Sequence, residues 1–510
     1  MVARALVLAL LAGLPGSVAA QGHTDVLPPG AGPDRVAFVD VAVVRTVGKH
    51  PGVTYGQTVV VENGRIAEIG ANEWVPVLPG VRRIDASGLY LMAGLIDMHA
   101  HLAVPPGPDE GPAVFAESDQ AMLAQYLAAG VTTVRNLWGS RSALRARRRV
   151  ASGVWSGPRV VTAGPLVDAR SASQRGVPFD VRELARRPSV LRIETPADAR
   201  EAVLYHRALG YDLVKVYDGV PARAFAALAE TAAAFGLPVV GHVPDAVGLA
   251  GVRARPGPSL HSVEHTLPFA KAAVPAGAPV SDDFLAAELA RYALADTVRL
   301  AVWAEAAAAR GTAVVPTLGL LARTYGARGG HDDLLASIDA APVSALQRQR
   351  WRAVAERHAA RLARFDSLGY DGAALGRAPL DAGLALVRAL DAAGAPILLG
   401  TDAPASLAPP AEAVLGELQL LVRAGLSPLR ALRAATSAPG GWLARHRLAP
   451  PFSGRMVEGA PSDLVLLRAN PAVDVAAVRE VEAVVAWGRL WERSELGTLA
   501  RGREGARSAR

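Results

Sequence analysis

The run "GLIDMHAHL", residues 94–102, places His99 and His101 two positions apart near its end. Side chains of a β-strand alternate between faces, so residues two apart project to the same side. Two imidazoles sharing one face are either a surface coincidence or half of a metal site. Residues of similar chemistry recur in later apolar runs: Lys215 in "LVKVYD", His242 in "PVVGHV", His265 in "LHSVEHT" and Asp402 in "PILLGTDA". A lone histidine at a strand end is ordinarily a satisfied core or surface residue. Strand-end positions of this chemistry converging on one mouth are much harder to produce by accident. Imidazoles with a carboxylate suit Zn²⁺ or a similar divalent ion.

Lys215 is the odd member, because an ammonium repels cations. The chain has three lysines, Lys49, Lys215 and Lys271, so 51 of its 54 basic residues are arginine. A lysine inside an apolar run can have a lowered pKa. As the free amine it can add CO₂ and become a carbamate, a carboxylate able to bridge two metals, which arginine cannot do. The alternative is a buried lysine paired with Asp212 or Asp218.

Eight short apolar runs would position these residues: 94–101, 131–137, 159–166, 213–218, 238–243, 260–266, 313–319 and 396–403. Helical Ala/Leu/Arg patterns such as 221–236 and 411–425 lie between them. Near-continuous apolar strands alternating with helices predict a parallel (β/α)8 TIM-like barrel, with chemistry at the C-terminal ends of its strands. The seventh unit carries a helical insertion, about residues 320–378, placed either over the barrel mouth or as a solvent-side hairpin. Residues 35–92 and 446–495 hold alternating strand-like pieces, including an Asn-Gly turn in "VENGRIAEIG". They predict a small β-sandwich domain built from both termini, flanking a barrel over 93–445. The overall expectation is therefore an α/β fold with a basic tail at 496–510.

Composition narrows the function classes. The 510 residues are 51% hydrophobic and 20% charged, as in a protein with a large core. The net charge is +7, but the densest basic cluster, Arg145 and Arg147 to Arg149, has no interleaved aromatics. It reads as a solvated helix face, so no nucleic-acid partner is expected. The absence of cysteine excludes disulfides, thiolate nucleophiles and cysteine metal ligands. Arg4, the apolar "ALVLALLAGL" and the small residues before Gln21 read as a removable export signal over residues 1–20. The mature chain is then expected to be exported and soluble, periplasmic or extracellular, with no membrane insertion; a homo-oligomer is left open.

Taken together, the pieces "GLYLMAGLIDMHAHL", "LVKVYDG", "VVGHV", "HSVEHT", "ILLGTDAP", "LRALRAATSAP" and "GAPSDLVLLRANP…VVAWGRLWE" resemble the metal-dependent amidohydrolase superfamily. The resemblance is to its branch of imidazolonepropionase-related amidohydrolases and Xaa-Pro dipeptidases, and it covers about residues 35–495. It implies that His99, His101 and Asp402 hold one divalent ion, His242 and His265 a second, and a carboxylated Lys215 bridges them. It also implies a hydroxide between two ions that attacks an amide carbonyl, with Asp402 taking its proton and returning it to the leaving group. The substrate classes implied are a dipeptide such as Xaa-Pro, an N-acyl amino acid or a cyclic amide.

Several residues depart from the pattern or are ambiguous. Asn136 stands where relatives commonly carry an acid, and "EGAP" replaces a lysine-bearing turn before "SDLVLL". Tyr217 shares a strand face with Lys215, so Tyr217 and Asn136 are candidate substrate contacts, with a packed tyrosine the alternative. Glu264 points away from its neighbour His265 and is read as a supporting residue. Two other readings compete: a mononuclear deaminase or imidazolone-type hydrolase of the same fold, and a catalytically dead binding relative. "HVPD", with Asp245 in place of a glutamate, and the retained Lys215 count against the first; the complete ligand set counts against the second.

Overall fold

The computed structural model describes residues 35–102, 118–169, 177–178, 190–254, 260–276, 284–325 and 331–501. The expected export signal, residues 103–117 and the tail beyond residue 501 lie outside the described residues. Among the described residues no helix is long and apolar enough to cross a membrane.

Strands from both ends of the chain pair in one eight-stranded sheet. The N-terminal contribution is β1 (Val36–Arg45), β2 (Gly52–Glu62), β3 (Arg65–Ala71), β4 (Arg82–Asp85) and β5 (Tyr90–Ala93). The C-terminal contribution is β16 (Leu464–Leu467), β17 (Val481–Ala486) and β18 (Arg489–Glu492). Their order is β18-β17-β16-β5-β1-β2-β3, with β4 beside β1. Where the sequence predicts a sandwich, the pairing observed is this single sheet. Asn63 and Gly64 make the β2–β3 turn with φ of 52° and 71°. Positive φ at both positions is what a type I′ hairpin turn requires, and it is why Asn-Gly signals one.

The site candidates ride on short parallel strands. β6 (Leu95–Ala100), β7 (Val131–Asn136) and β8 (Arg159–Thr162) form a three-stranded sheet. A seven-stranded sheet contains β9 (Leu166–Asp168), β10 (Val177–Pro178), β11 (Val190–Arg192), β12 (Val214–Val216), β13 (Val239–Gly241), β14 (Ser262–Glu264) and β15 (Ala313–Val315). Its order is β10-β11-β9-β12-β13-β14-β15. Helices follow the strands, as in Pro196–Leu209, which starts at a Thr195/Asp198 capping box and stops at Gly210 with φ 78°.

The expected barrel is thus present as parallel α/β structure, but its ladder is not continuously closed. The third run divides into β8 and β9 at Gly164-Pro165, where a Cβ on residue 164 would lie 1.9 Å from the His206 ring. A single bridge, Ala163 with Leu213, connects the two sheets there. The eighth run forms no strand; it contributes isolated parallel bridges, Ile397 with Val314 and Ala403 with Ala100. Its backbone turns out of extended conformation, because Thr401 and Asp402 both donate their N–H to the His99 carbonyl. Asp402 itself is left-handed, with φ 55°.

The helical insertion packs beside the residues that follow Asp402. Fully buried Trp351, in the helix Ala345–Ser367, donates its indole N–H to the Pro404 carbonyl at 2.9 Å. Arg323 donates to the Leu407 carbonyl at 2.7 Å, and Leu334, Ile338 and Ala355 pack with Trp351 and Leu407. The insertion therefore braces the end of the chain segment that carries Asp402.

Gly400 marks the tightest approach between that segment and β6. A Cβ there would lie 2.6 Å from His99 Cβ and 2.4 Å from Val315 Cγ1. Gly400→Ala is expected to cost about 1–3 kcal/mol through overpacking. Gly416→Ala, in a helix with nothing within 4 Å of the new methyl, is expected to be neutral or stabilising by up to about 1 kcal/mol. Urea unfolding of the two variants checks the difference; equal midpoints would mean that residue 400 is not a close contact.

Candidate metal centre

The site is built where five chain segments end together. His99 is the last residue but one of β6 and His101 lies just beyond it; Lys215 sits within β12; His242 and His265 follow β13 and β14 immediately; and Asp402 lies near the end of the eighth run. One ligand atom from each of His99, His101 and Asp402 lies within 4.8 Å of the others, and all three residues are buried. His101 Nε2 is 2.7 Å from Asp402 Oδ1, and His99 Nε2 is 3.5 Å from the same oxygen. The His265 ring lies 4.7 Å from that of His99, and the His242 ring 4.8 Å from that of His265. Lys215 is fully buried beside them and interacts electrostatically with Glu264 and Asp402.

Several partners fix how these groups point. His99 Nδ1 meets Glu264 Oε2 at 2.9 Å, His242 Nδ1 meets Asp218 Oδ1 at 3.2 Å, and His265 Nδ1 meets Thr317 Oγ1 at 2.8 Å. A ligating imidazole ordinarily has its second nitrogen held in this way, which sets the tautomer and the ring orientation. Asp97 accepts from the His99 N–H, the Thr401 N–H and hydroxyl, and the Tyr126 hydroxyl. It thereby fastens the first strand to the segment leading into Asp402.

The backbone is bent at the same places. His265, Thr317 and Asp402 have φ of 66°, 49° and 55°. Left-handed conformations in residues other than glycine are uncommon, cost about 1–3 kcal/mol each and cluster at functional sites. Here they turn three side chains inward just past a strand end.

Burial and charge leave these groups in the forms that bind a metal ion. Burial, reinforced by Lys215 and the neighbouring imidazoles, holds His99 well below its ordinary pKa. Burial and His242 do the same for His265. Both are therefore neutral, the form that donates a lone pair. Burial pushes the Asp402 carboxyl up, but His101, His265 and Lys215 outweigh it, and the group stays below the usual value. Asp402 Oδ1 makes no hydrogen bond of good geometry even though an imidazole nitrogen stands beside it. A buried carboxylate oxygen facing two imidazole nitrogens fits a divalent ion of the zinc type.

The two candidate substrate contacts fall in different places. Tyr217 stacks on His242 with ring centroids 3.9 Å apart, at the edge of the cluster. Asn136 is fully buried, accepts from the Leu102 N–H and donates to Thr162 Oγ1 and the Trp138 carbonyl. Its amide joins the ends of β6, β7 and β8. Glu264 is a supporting residue through its contact with His99. Sequence reasoning passed over Asp97, Thr317, Trp351 and Arg135. For Arg135 the signal was available: like Lys215, it is a lone charge inside an apolar run, "VTTVRNL".

Residues 90–490 match the family model described as "Amidohydrolase family". The structure resembles that of a bottromycin amidohydrolase, with a TM-score of 0.65 at 24% identity over 98% of this chain and 97% of that one. It also resembles a Xaa-Pro dipeptidase with methionine bound in its active site, with a TM-score of 0.60 at 18% identity over 90% and 100%. A dihydroorotase from Trichlorobacter lovleyi is 44% identical over 61 residues, 12% of this chain. That match spans only 14% of the dihydroorotase. The family match extends over most of the sequence, from the strand preceding His99 to the last strand of the flanking sheet, and the chain belongs to the amidohydrolase family.

Proposed function

We propose that the protein is an exported metal-dependent hydrolase that cleaves a C–N amide bond using two divalent ions, in the Zn²⁺ class. The observation that carries this reading is the buried convergence of His99, His101 and Asp402, with His265, His242 and Lys215 next to them. His99, His101 and Asp402 would hold the first ion, and His242 and His265 the second. Lys215, as a CO₂-derived carbamate, would bridge them. Burial brings the Lys215 amine down to about 8. Carbamate formation needs the neutral amine, which this lowered pKa makes easier to reach, so it supports the assignment.

Metal ions bound there would acidify water and polarise the scissile carbonyl. The chain's own part is proton handling and placement. Asp402, held ionised and bent into the site, takes the proton of the attacking water and returns it to the leaving nitrogen, a general acid–base role. Glu264, Asp218 and Thr317 keep three imidazoles oriented. Tyr217, stacked against His242, is the proposed substrate contact. The substrate proposed is a small molecule: a dipeptide such as Xaa-Pro, an N-acyl amino acid or a cyclic amide. The Xaa-Pro dipeptidase likeness supports testing Xaa-Pro dipeptides first.

A one-ion deaminase or cyclic-amide hydrolase is the second reading. It is favoured by one observation: among the described residues, the three-ligand cluster comprises His99, His101 and Asp402 alone.

Asp402→Asn is expected to lower kcat on a responsive substrate by about 10²–10⁴-fold while much of the metal stays bound. A variant with near-normal kcat would remove Asp402 from its role. Elemental mass spectrometry on protein expressed with zinc and bicarbonate is expected to give two ions per chain, falling when Lys215 is changed to Ala. One ion per chain, unaffected by Lys215→Ala, would leave Lys215 structural and favour the one-ion reading.

A further inference from the structure

Arg135 is the largest charged side chain sealed inside the strand assembly, fully buried on β7. All three of its nitrogens are used. Nε donates to the Met98 carbonyl at 2.6 Å, Nη1 to Ser262 Oγ at 3.0 Å and Nη2 to Glu264 Oε1 at 2.7 Å. The guanidinium also lies 4.9 Å from the centre of the Trp442 ring. One side chain thus spans from β7 to the backbone of β6, which carries His99, and to two side chains of β14, which leads into His265.

The carboxylate it grips has a divided role. Glu264 Oε1 accepts from Arg135 and from the Ser262 hydroxyl at 2.5 Å. Oε2 is left to face His99 Nδ1 at 2.9 Å. A carboxylate paired with arginine offers acceptors only. His99 Nδ1 must then carry the ring proton, and the lone pair falls on Nε2, the nitrogen that faces Asp402. Both Glu264 oxygens are directed by this arrangement, so rotating the carboxylate would break it.

We propose that Arg135 is a positioning residue for the metal-binding face of His99, acting through Glu264 and through the Met98 carbonyl. This rests on the metal-dependent reading above. The competing explanation is a structural ion pair that only holds strands together. A buried ion pair by itself is weak support for stability, whereas an outer partner of a ligating imidazole typically changes metal affinity by about 10–100-fold when replaced. Lysine at 135 would keep the charge but lose the planar fork that reaches three acceptors at once.

The test measures Co²⁺ affinity of the full-length apoprotein by competition with a chromogenic chelator, together with the visible spectrum of the cobalt form. Glu264→Gln is expected to weaken cobalt binding about 10–100-fold and to alter the spectrum. Arg135→Lys is expected to weaken it by a smaller factor, and it carries the comparison if Glu264→Gln does not fold. Asp463→Asn, which removes the distant partner of Arg159, serves as the control: it is expected to shift Tm without changing affinity or spectrum. Wild-type affinity and spectrum in folded Glu264→Gln and Arg135→Lys would overturn the proposal and leave a structural ion pair. Failure of the wild-type protein itself to bind cobalt would instead overturn the metal-dependent reading, and this inference with it.

Discussion

The attachment of β6 to the segment ending at Asp402 is the constraint on which the site depends. That segment has no regular strand ladder to hold it. Its place is fixed by buried Asp97, which collects the His99 N–H and both donors of Thr401, and by the His99 carbonyl, which receives the Thr401 and Asp402 N–H groups. Burial raises the Asp97 carboxyl to about 6 even against the opposing pull of the donors from Thr401, His99 and Tyr126. A buried acceptor in this position is costly unless all its partners are present. The clamp therefore tolerates one arrangement, and that arrangement sets His99, His101 and Asp402 together. Gly400 permits the close approach from the other side.

The imidazoles around them are ordered by a similar logic. Each of three imidazoles has its Nδ1 engaged: that of His99 by the Glu264 carboxylate on β14, in the other sheet, that of His242 by the Asp218 carboxylate just past β12, and that of His265 by the Thr317 hydroxyl after β15. Glu417 accepts from the Leu318 and Gly319 N–H groups and so steadies the turn that presents Thr317. The helical insertion contributes from outside, through Trp351 on the Pro404 carbonyl. Positional accuracy at the centre is thus supplied by buried polar contacts between elements far apart in sequence.

That distribution explains what the sequence could and could not reveal. The strand-end residues were legible because alternation and apolar context announce them: His99 and His101 two apart, Lys215 inside "DLVKVYD", Asp402 after "PILLG". Strand positions were legible for the same reason, since near-continuous apolar runs mark parallel strands. The clamp was not. Asp97 lies in the very run that drew attention to the histidines, yet the partner that closes the clamp, Thr401, is more than 300 residues away. Nor does periodicity disclose that the third run breaks at Gly164, or that the eighth gives up its ladder to bend Asp402 inward. These depend on tertiary approach distances, which no local pattern encodes. Asn136 shows the converse: a substitution that invites a functional reading on sequence spends its amide on three strand ends.

The most direct measurement is anomalous diffraction at the zinc edge from crystals grown with zinc and bicarbonate. Two anomalous peaks are expected, one beside His99, His101 and Asp402 and one beside His242 and His265, with electron density extending from Lys215 Nζ between them. A single peak with an unextended lysine would contradict the two-ion centre.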